Sequence, residues 1–227
     1  VLGGSFRYAD GGGYRFVENF PDIYIADLLN RPKLKRKIKV VAACGNGTAG
    51  AFAPQVLEKL GCEVVPLDVE LDYNFPRYNP NPEDMEMLHA IAHKVKEVGA
   101  DVGLGFDGDG DRLGVVTKDG QIIFPDRQLM LFAQEVLSRN PGAPILYDVK
   151  CSKHVAAVVK AAGGEPLMGK TGHSLVKARM KETQAPLGGE MSGHVFFKDR
   201  WYGFDDGLYA GARLLEILTK QKNFVKK

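Results

Sequence analysis

The sequence predicts an α/β protein made of two topologically similar α/β domains with mixed sheets. Three observations carry this. Short β-rich apolar runs alternate with stretches of helical periodicity. The order strand, glycine-containing turn, helix, strand, helix, strand, polar loop, strand occurs twice, the first helix of each round starting after Gly47 and after Ser152. The 227 residues also suit two cores at the usual ~100–200 residues per domain. The expected division is a lead-in over 1–19, a first domain over 20–123 and a second over 124–227, with the junction near Phe124-Pro125-Asp126.

After the polar lead-in, Ile38 to Ala43 reads as a strand and Cys44-Gly45-Asn46-Gly47-Thr48-Ala49-Gly50 as its turn. A helix through Phe52, Val56, Leu57 and Leu60 follows and closes at Gly61. Glu63 to Pro66 is the second strand, Pro82 to Val98 an amphipathic helix, and Asp101 to Phe106 a strand that runs into an acidic loop. Leu113–Thr117 and Gln121–Phe124 flank Lys118-Asp119-Gly120, a hairpin signal. Pro125 starts a helix over 126–139. The second round has a strand at Pro144–Val149, a helix from Val155 to Ala162 stopped by Gly163-Gly164, a strand near Glu165–Met168 and a helix from about Ser174 to Glu182. Ala185 to Gly189 then leads to a second loop, followed by the strand Val195–Phe197 and a last helix from Asp206 to about Thr219. In open α/β sheets ligands gather at the carboxyl ends of strands, where both loops fall.

Composition narrows the function classes. With 44% hydrophobic and 26% charged residues and 27 glycines against 12 prolines, the chain is neither disordered nor collagen-like. Thirty basic residues against 28 acidic ones give +2, too balanced for a binder that neutralises many nucleic-acid phosphates, so no nucleic-acid partner is expected. Cys44, Cys62 and Cys151 are odd in number and lack CxxC spacing, which argues against a zinc knot or a disulfide framework and for a reducing compartment. No apolar run approaches the ~20 residues that span a bilayer, and residues 1–7 lack a secretory core, so the expectation is a cytoplasmic protein with no membrane partner. The Gly-rich opening on Val suggests an excised piece of a longer chain, and residues 1–14 receive no further account.

Asp107-Gly108-Asp109-Gly110-Asp111-Arg112 sets three carboxylates at alternate positions with glycines between them. Three anions so close repel one another unless a cation neutralises them, and glycine lets the backbone curl until the oxygens converge. An all-oxygen set favours Mg²⁺, which keeps positions open for water or a phosphate oxygen. An EF-hand is excluded, because its sixth and twelfth positions would be Arg112 and Lys118.

The second loop, Gly189-Glu190-Met191-Ser192-Gly193-His194, offers a carboxylate, a hydroxyl and an imidazole, a set able to pair with vicinal sugar hydroxyls and to move protons. Read alone it is equally an ordinary strand connection. Lys150, Lys170 and His173 lie on turns near strands of the second unit, where each is by itself most simply a solvated residue. His89 and His93 read as a solvated helix face, since Ala90 stands where a zinc protease carries Glu. The Gly45–Gly50 turn lacks the P-loop lysine and reads as a tight connection.

Together, Gly105 to Arg112 and Gly189 to His194, in that order, resemble the metal-binding and sugar-binding loops of the α-D-phosphohexomutases, in particular their bacterial phosphomannomutase/phosphoglucomutase branch. Cys44 to Gly47, Pro125-Asp126-Arg127, Asp148 to Cys151 and Lys170 to Leu175 resemble that family as well, so the similarity runs from about Ile38 to Leu218. The resemblance implies the second and third of four domains around one cleft. It implies an isomerase-class phosphotransferase that interconverts hexose 1- and 6-phosphates of mannose or glucose through a phosphoserine and a hexose 1,6-bisphosphate. By the same resemblance Asp107, Asp109 and Asp111 hold Mg²⁺, Glu190 and Ser192 grip sugar hydroxyls, and His194, Arg112, Lys150 and His173 line the cleft, with Arg127 beside them. Arg112, His194 and Lys150 are the catalytic candidates among these. No Ser-His-Asn-Pro-like segment occurs; Ser5, Ser152, Ser174 and Ser192 all lack that context. The expectation is therefore that the chain alone is inactive without the first and fourth domains. A phosphoglucosamine mutase piece, a non-catalytic sugar-phosphate or metal-binding module, and a metal-dependent sugar-nucleotide transferase are the alternatives.

Overall fold

The computed structural model describes residues 9–220; the readings made for residues 1–7, Ser5 included, lie outside them. In chain order the elements are α1 (Phe20–Leu29), β1 (Lys39–Ala43), a 3-10 turn (Thr48–Ala51), α2 (Ala53–Lys59), β2 (Glu63–Leu67), α3 (Met85–Val98), β3 (Val102–Phe106), β4 (Leu113–Thr117) and β5 (Ile122–Ile123). Then come α4 (Pro125–Leu137), β6 (Pro144–Asp148), α5 (His154–Ala161), β7 (Glu165–Gly169), α6 (His173–Thr183), β8 (Leu187–Gly189), β9 (Val195–Phe197) and α7 (Gly207–Lys220). Two mixed sheets result, ordered β2-β1-β3-β4-β5 and β7-β6-β8-β9. The first strand of each unit, β1 or β6, pairs in parallel on both sides, and the strand following each polar loop, β4 or β9, turns back antiparallel.

Strand alternation sorts the side chains. Val40 and Ala42 enter one core, while Val41 and Ala43 enter a second core built with Met87, Leu88, Ile91 and Val95 of α3. Because helices cover both faces, β1 reads as an unbroken apolar run rather than an alternating one. In the second sheet Ile145 and Tyr147 join the first core, whereas Leu146 packs with Val176 and Met180 of α6. That first core is common to both sheets. Its middle is α7, buried from Gly207 through Thr219, which touches β3 and β4 of one sheet and β9 of the other. Among the described residues its one fully buried cation, Arg213, is matched by Glu135 Oε2 at 2.7 Å and Asp199 Oδ2 at 2.9 Å and lies 4.5 Å from the Phe197 ring centre.

Two details differ from expectation for physical reasons. The helix expected from Pro82 begins at Met85, because the Asp84 carboxylate caps it by accepting from Glu86 N–H at 2.8 Å. The approach to the first strand contains α1, whose Ile25 and Leu28 are buried while Phe20 and Ile23 stay exposed, so its periodicity is weak. The strand that the repeated order places before the second loop is present as β8. From α1 onward the chain is fastened to the second unit. Tyr24 Oη reaches both oxygens of Asp206 at 3.1 Å, Arg31 Nη1 donates to Arg200 O at 3.0 Å, and the Arg31 guanidinium sits 5.0 Å from the Trp201 ring centre. Lys33 N–H donates to Glu216 Oε1 and Lys35 N–H to Thr219 Oγ1.

Among the described residues no helix is long and apolar enough to cross a membrane. The three thiols are unpaired; burial pushes Cys44 and Cys62 up to about 12 and Cys151 upward as well, so none is a ready nucleophile.

Candidate functional site

The acidic loop leaves the end of β3 and bends at once around Asp107, whose side chain is fully buried. Asp107 Oδ1 accepts from the N–H groups of Gly110 (3.1 Å) and Arg112 (3.0 Å), and Oδ2 accepts from Arg112 Nε at 2.6 Å. Burial pushes this carboxyl upward, against the pull of Arg112. Arg112 Nη1 also donates to Asn81 Oδ1 at 3.2 Å. Gly110 turns the chain at φ +82, a left-handed conformation that favours glycine. Thr48 donates from both N–H (2.9 Å) and Oγ1 (3.1 Å) to Gly108 O, and a Cβ on Gly47 would come within 2.8 Å of that oxygen. The Gly45–Gly50 segment is thus the tight connection expected of it, and it also braces the acidic loop.

One oxygen from each of Asp107, Asp109 and Asp111 lies within 4.8 Å of the other two. Asp109 is exposed and has no hydrogen-bond partner for its carboxylate among the described residues, and Asp107 Oδ2 accepts only one bond of the two it can take. The donor set is oxygen alone, close-spaced and incompletely satisfied, and so fits a hard divalent cation such as Mg²⁺.

The second loop leaves β8 and closes on itself, with Glu190 N–H donating to His194 O at 3.0 Å and Gly193 at φ +104. Glu190 Oε1 accepts from Gly172 N–H, and its Oε2 lies 3.2 Å from His194 Nδ1. Ser192 Oγ is 3.0 Å from the same nitrogen. On the far side of the ring, Nε2 lies 3.3 Å from Asp111 Oδ1 and 3.8 Å from Asp205 Oδ2. Burial by itself would lower the His194 imidazole, but the carboxylates of Asp111, Glu190 and Asp205 outweigh it and push it up to about 9. Burial opposes ionisation of Asp111 and Glu190 too, yet His194 holds both below the usual carboxylate range.

Backbone contacts join the two loops directly. Leu113 N–H donates to Gly193 O at 3.2 Å, and Arg112 and His194 form an isolated antiparallel bridge. The N-terminus of α7 abuts the same junction, Gly207 N–H donating to Gly110 O at 3.1 Å.

The structure therefore gathers Asp107, Asp109, Asp111, Arg112, Glu190, Ser192 and His194 into one cluster. His173 joins at the edge, exposed at the start of α6 with its ring stacked 5.9 Å from that of His194. Lys150, just past β6, and Arg127, in the first turn of α4, are exposed and make no side-chain hydrogen bond or ion pair among the described residues.

Two members were not apparent from sequence. Asp205 sits before α7, its Oδ1 held by Lys177 Nζ at 2.8 Å. Asp148, fully buried at the end of β6, accepts from Cys151 N–H and from Met191 N–H through Oδ1, and from Thr171 Oγ1 through Oδ2, so one carboxylate ties three loops together. Neither stands in a repeating pattern; the position of Asp148 at a strand's carboxyl end was the available signal. A pocket of about 220 Å³ opens on the outer side of the acidic loop, lined by Asp109, Gly110 and Thr48 but mostly by the apolar surface of Phe20, Tyr24, Phe52 and Leu208.

Comparisons with known proteins place the chain in a family. The domain family described as phosphoglucomutase/phosphomannomutase, alpha/beta/alpha domain II, matches residues 22–120, and domain III of the same family matches residues 124–227. A phosphomannomutase/phosphoglucomutase of Pseudomonas putida is 59% identical over 199 residues, which is 88% of this chain and 43% of the relative. The crystal structure of a phosphoglucomutase/phosphomannomutase family protein from Burkholderia thailandensis superposes with a TM-score of 0.87 at 61% identity, covering 89% of this chain and 44% of that one. At 11% identity and a TM-score of 0.61, over 87% of this chain and 49% of the other, an Aspergillus fumigatus N-acetylphosphoglucosamine mutase solved with GlcNAc-6P and magnesium shares the fold. The chain spans less than half the length of these relatives.

Proposed function

The chain belongs to the phosphoglucomutase/phosphomannomutase family, of which it carries the second and third α/β/α domains, and from that premise we propose that it supplies the metal-binding and sugar-binding walls of a phosphohexomutase active site. The reaction is interconversion of hexose 1-phosphate and hexose 6-phosphate, with mannose and glucose phosphates as substrates. The observation that supports it best is the direct joining of the two loops through Leu113 and Gly193, which sets a cation-ready carboxylate cluster against a hydroxyl-reading loop.

Each side chain has a physical part. Asp107, Asp109 and Asp111 would hold Mg²⁺, which when bound neutralises charge on a phosphoryl oxygen. Asp107 also fixes Arg112, so that the guanidinium is positioned before substrate arrives. Glu190 and Ser192 present oxygens to the sugar hydroxyls, with Glu190 held in place by Gly172 N–H. His194, flanked by carboxylates on both ring nitrogens that favour the imidazolium in the metal-free fold, is the candidate proton donor to a reacting sugar oxygen. Lys150, His173 and Arg127 are exposed near the carboxyl ends of the second sheet, free to meet a phosphate. The phosphoserine and the remaining phosphate contacts come from further domains, so we expect residues 1–227 alone not to turn over. Three free thiols, two of them buried, favour a cytoplasmic setting. A phosphoglucosamine substrate is the second reading, and comparative turnover decides between them.

The test is conversion of mannose 1-phosphate to mannose 6-phosphate, followed by phosphorus NMR, in the full-length protein that contains this chain. Mg²⁺-dependent conversion that collapses in Asp109→Asn is expected. Full activity in that variant, or no conversion by the wild-type protein, would overturn the reading.

A further inference from the structure

We propose that His194 Nε2, Asp111 Oδ1 and Asp205 Oδ2 form a second divalent-cation site, one that takes an imidazole-preferring ion such as Zn²⁺ over Mg²⁺. These three residues each offer a ligand atom within 4.8 Å of the other two. Nε2 stands 3.3 Å from Asp111 Oδ1 and 3.8 Å from Asp205 Oδ2. Ligand atoms around tetrahedral zinc, bound at ~2.0–2.1 Å, are about 3.3–3.4 Å apart. The first spacing is such an edge, and the second needs only a small approach of Asp205.

An independent observation comes from Asp205 itself. Its side chain is only 7% exposed, and Oδ2 has no hydrogen-bond partner among the described residues, although Oδ1 is held by Lys177 Nζ at 2.8 Å. Both neighbours of that oxygen are imidazoles beyond hydrogen-bond length, His194 Nε2 at 3.8 Å and His173 Nδ1 at 3.7 Å. A buried carboxylate oxygen left bare and aimed at ring nitrogens is a ligand awaiting an ion. Nitrogen ligation separates this site from the all-oxygen triad, since imidazole suits zinc and Mg²⁺ prefers oxygen. With three protein ligands, the fourth position is open to water or a phosphate oxygen.

The ligation rests on geometry alone; its consequence rests on the phosphoryl-transfer reading. An ion on Nε2 takes the lone pair that would carry the proton, so His194 cannot donate there, and zinc inhibits turnover even with Mg²⁺ saturating.

The test is titration of the purified protein with Zn²⁺ alone as probe, against a chromophoric chelator, without and with excess Mg²⁺. One zinc equivalent should survive the Mg²⁺ challenge. Asp205→Asn and His194→Gln should each weaken it at least about tenfold, whereas Asp109→Asn should leave it in place. X-ray absorption should show nitrogen ligation in wild type that is lost in His194→Gln. Displacement of all zinc by Mg²⁺, or unchanged affinity in His194→Gln, overturns the site; that variant decides should Asp205→Asn fail to fold. Zinc held as described by a full-length protein with no mutase activity would defeat the proposed function and leave the site standing.

Discussion

Two aspartates of the acidic loop should part company under mutation. Asp107→Ala removes three accepted hydrogen bonds, one of them a 2.6 Å charge-assisted contact from Arg112 Nε, and leaves that guanidinium, 25% exposed, with Asn81 as its remaining close acceptor. Losing a buried carboxylate that accepts three hydrogen bonds, with the cation left behind partly solvated, costs roughly 2–4 kcal/mol. For a chain of this size, at about 2–4 °C per kcal/mol, the melting temperature should fall by roughly 10 °C. Asp109→Ala removes an exposed carboxylate with no protein partner among the described residues and should change stability by no more than about 0.5 kcal/mol. Both should weaken divalent-ion binding by at least about tenfold. Urea unfolding followed by circular dichroism, in the presence of a chelator, gives the stability difference; Mn²⁺ titration by electron paramagnetic resonance gives the affinity. Equal destabilisation by the two variants, or a metal affinity that Asp109→Ala leaves intact, would refute the division into an anchor and a free ligand.

Three further outcomes follow from the same geometry. His194 titrates near 9 in the metal-free fold against an ordinary 6.5, so its stabilisation is whole below pH 6.5 and disappears as the pH rises through 9; chelator-treated wild type should lose roughly 3 kcal/mol across that window relative to His194→Gln in urea melts. Gly207→Ala places a Cβ 2.7 Å from Arg112 O and 2.8 Å from Gly110 O, both backbone, so it should cost roughly 1–3 kcal/mol and also lower Mn²⁺ affinity by displacing the acidic loop. Arg31→Ala lifts the guanidinium from Trp201 and Tyr202 and should cost roughly 1–2 kcal/mol, with a shift in emission from Trp201, the chain's one tryptophan; an unchanged spectrum and melt would refute that contact.

What could be read from the sequence, and what could not, divides along physical lines. The Asp107-Gly-Asp-Gly-Asp spacing and the Asp119-Gly120 hairpin are local signals, and local geometry delivers them: Gly120 sits at φ +79 and Thr117 closes the turn with Gln121. The strand β8 followed only from the repeated order of elements, since two of its three residues are glycine and carry no β signal of their own. The structure gives the reason: a Cβ on Gly188 would meet Met180 Sδ at 2.9 Å and one on Gly189 would meet Leu129 at 2.8 Å, so helices press on both of its faces. Likewise α1 and the residues just after it are fixed by what they touch far along the chain, Tyr24 on Asp206 and Arg31 on Trp201. Asp148 and Asp205 belong to the same class, their importance set by groups that only folding brings near.

The placement of α7 has a bearing on how the protein is made. Leu104, Phe106 and Leu113 of the first sheet meet this helix around Gly211, so part of their cover is encoded more than ninety residues downstream. While the ribosome has delivered only the earlier half, that apolar patch faces water, and the nascent segment is open to chaperones and proteases until the late helix emerges. Synthesis and final folding of the earlier half are thereby separated in time.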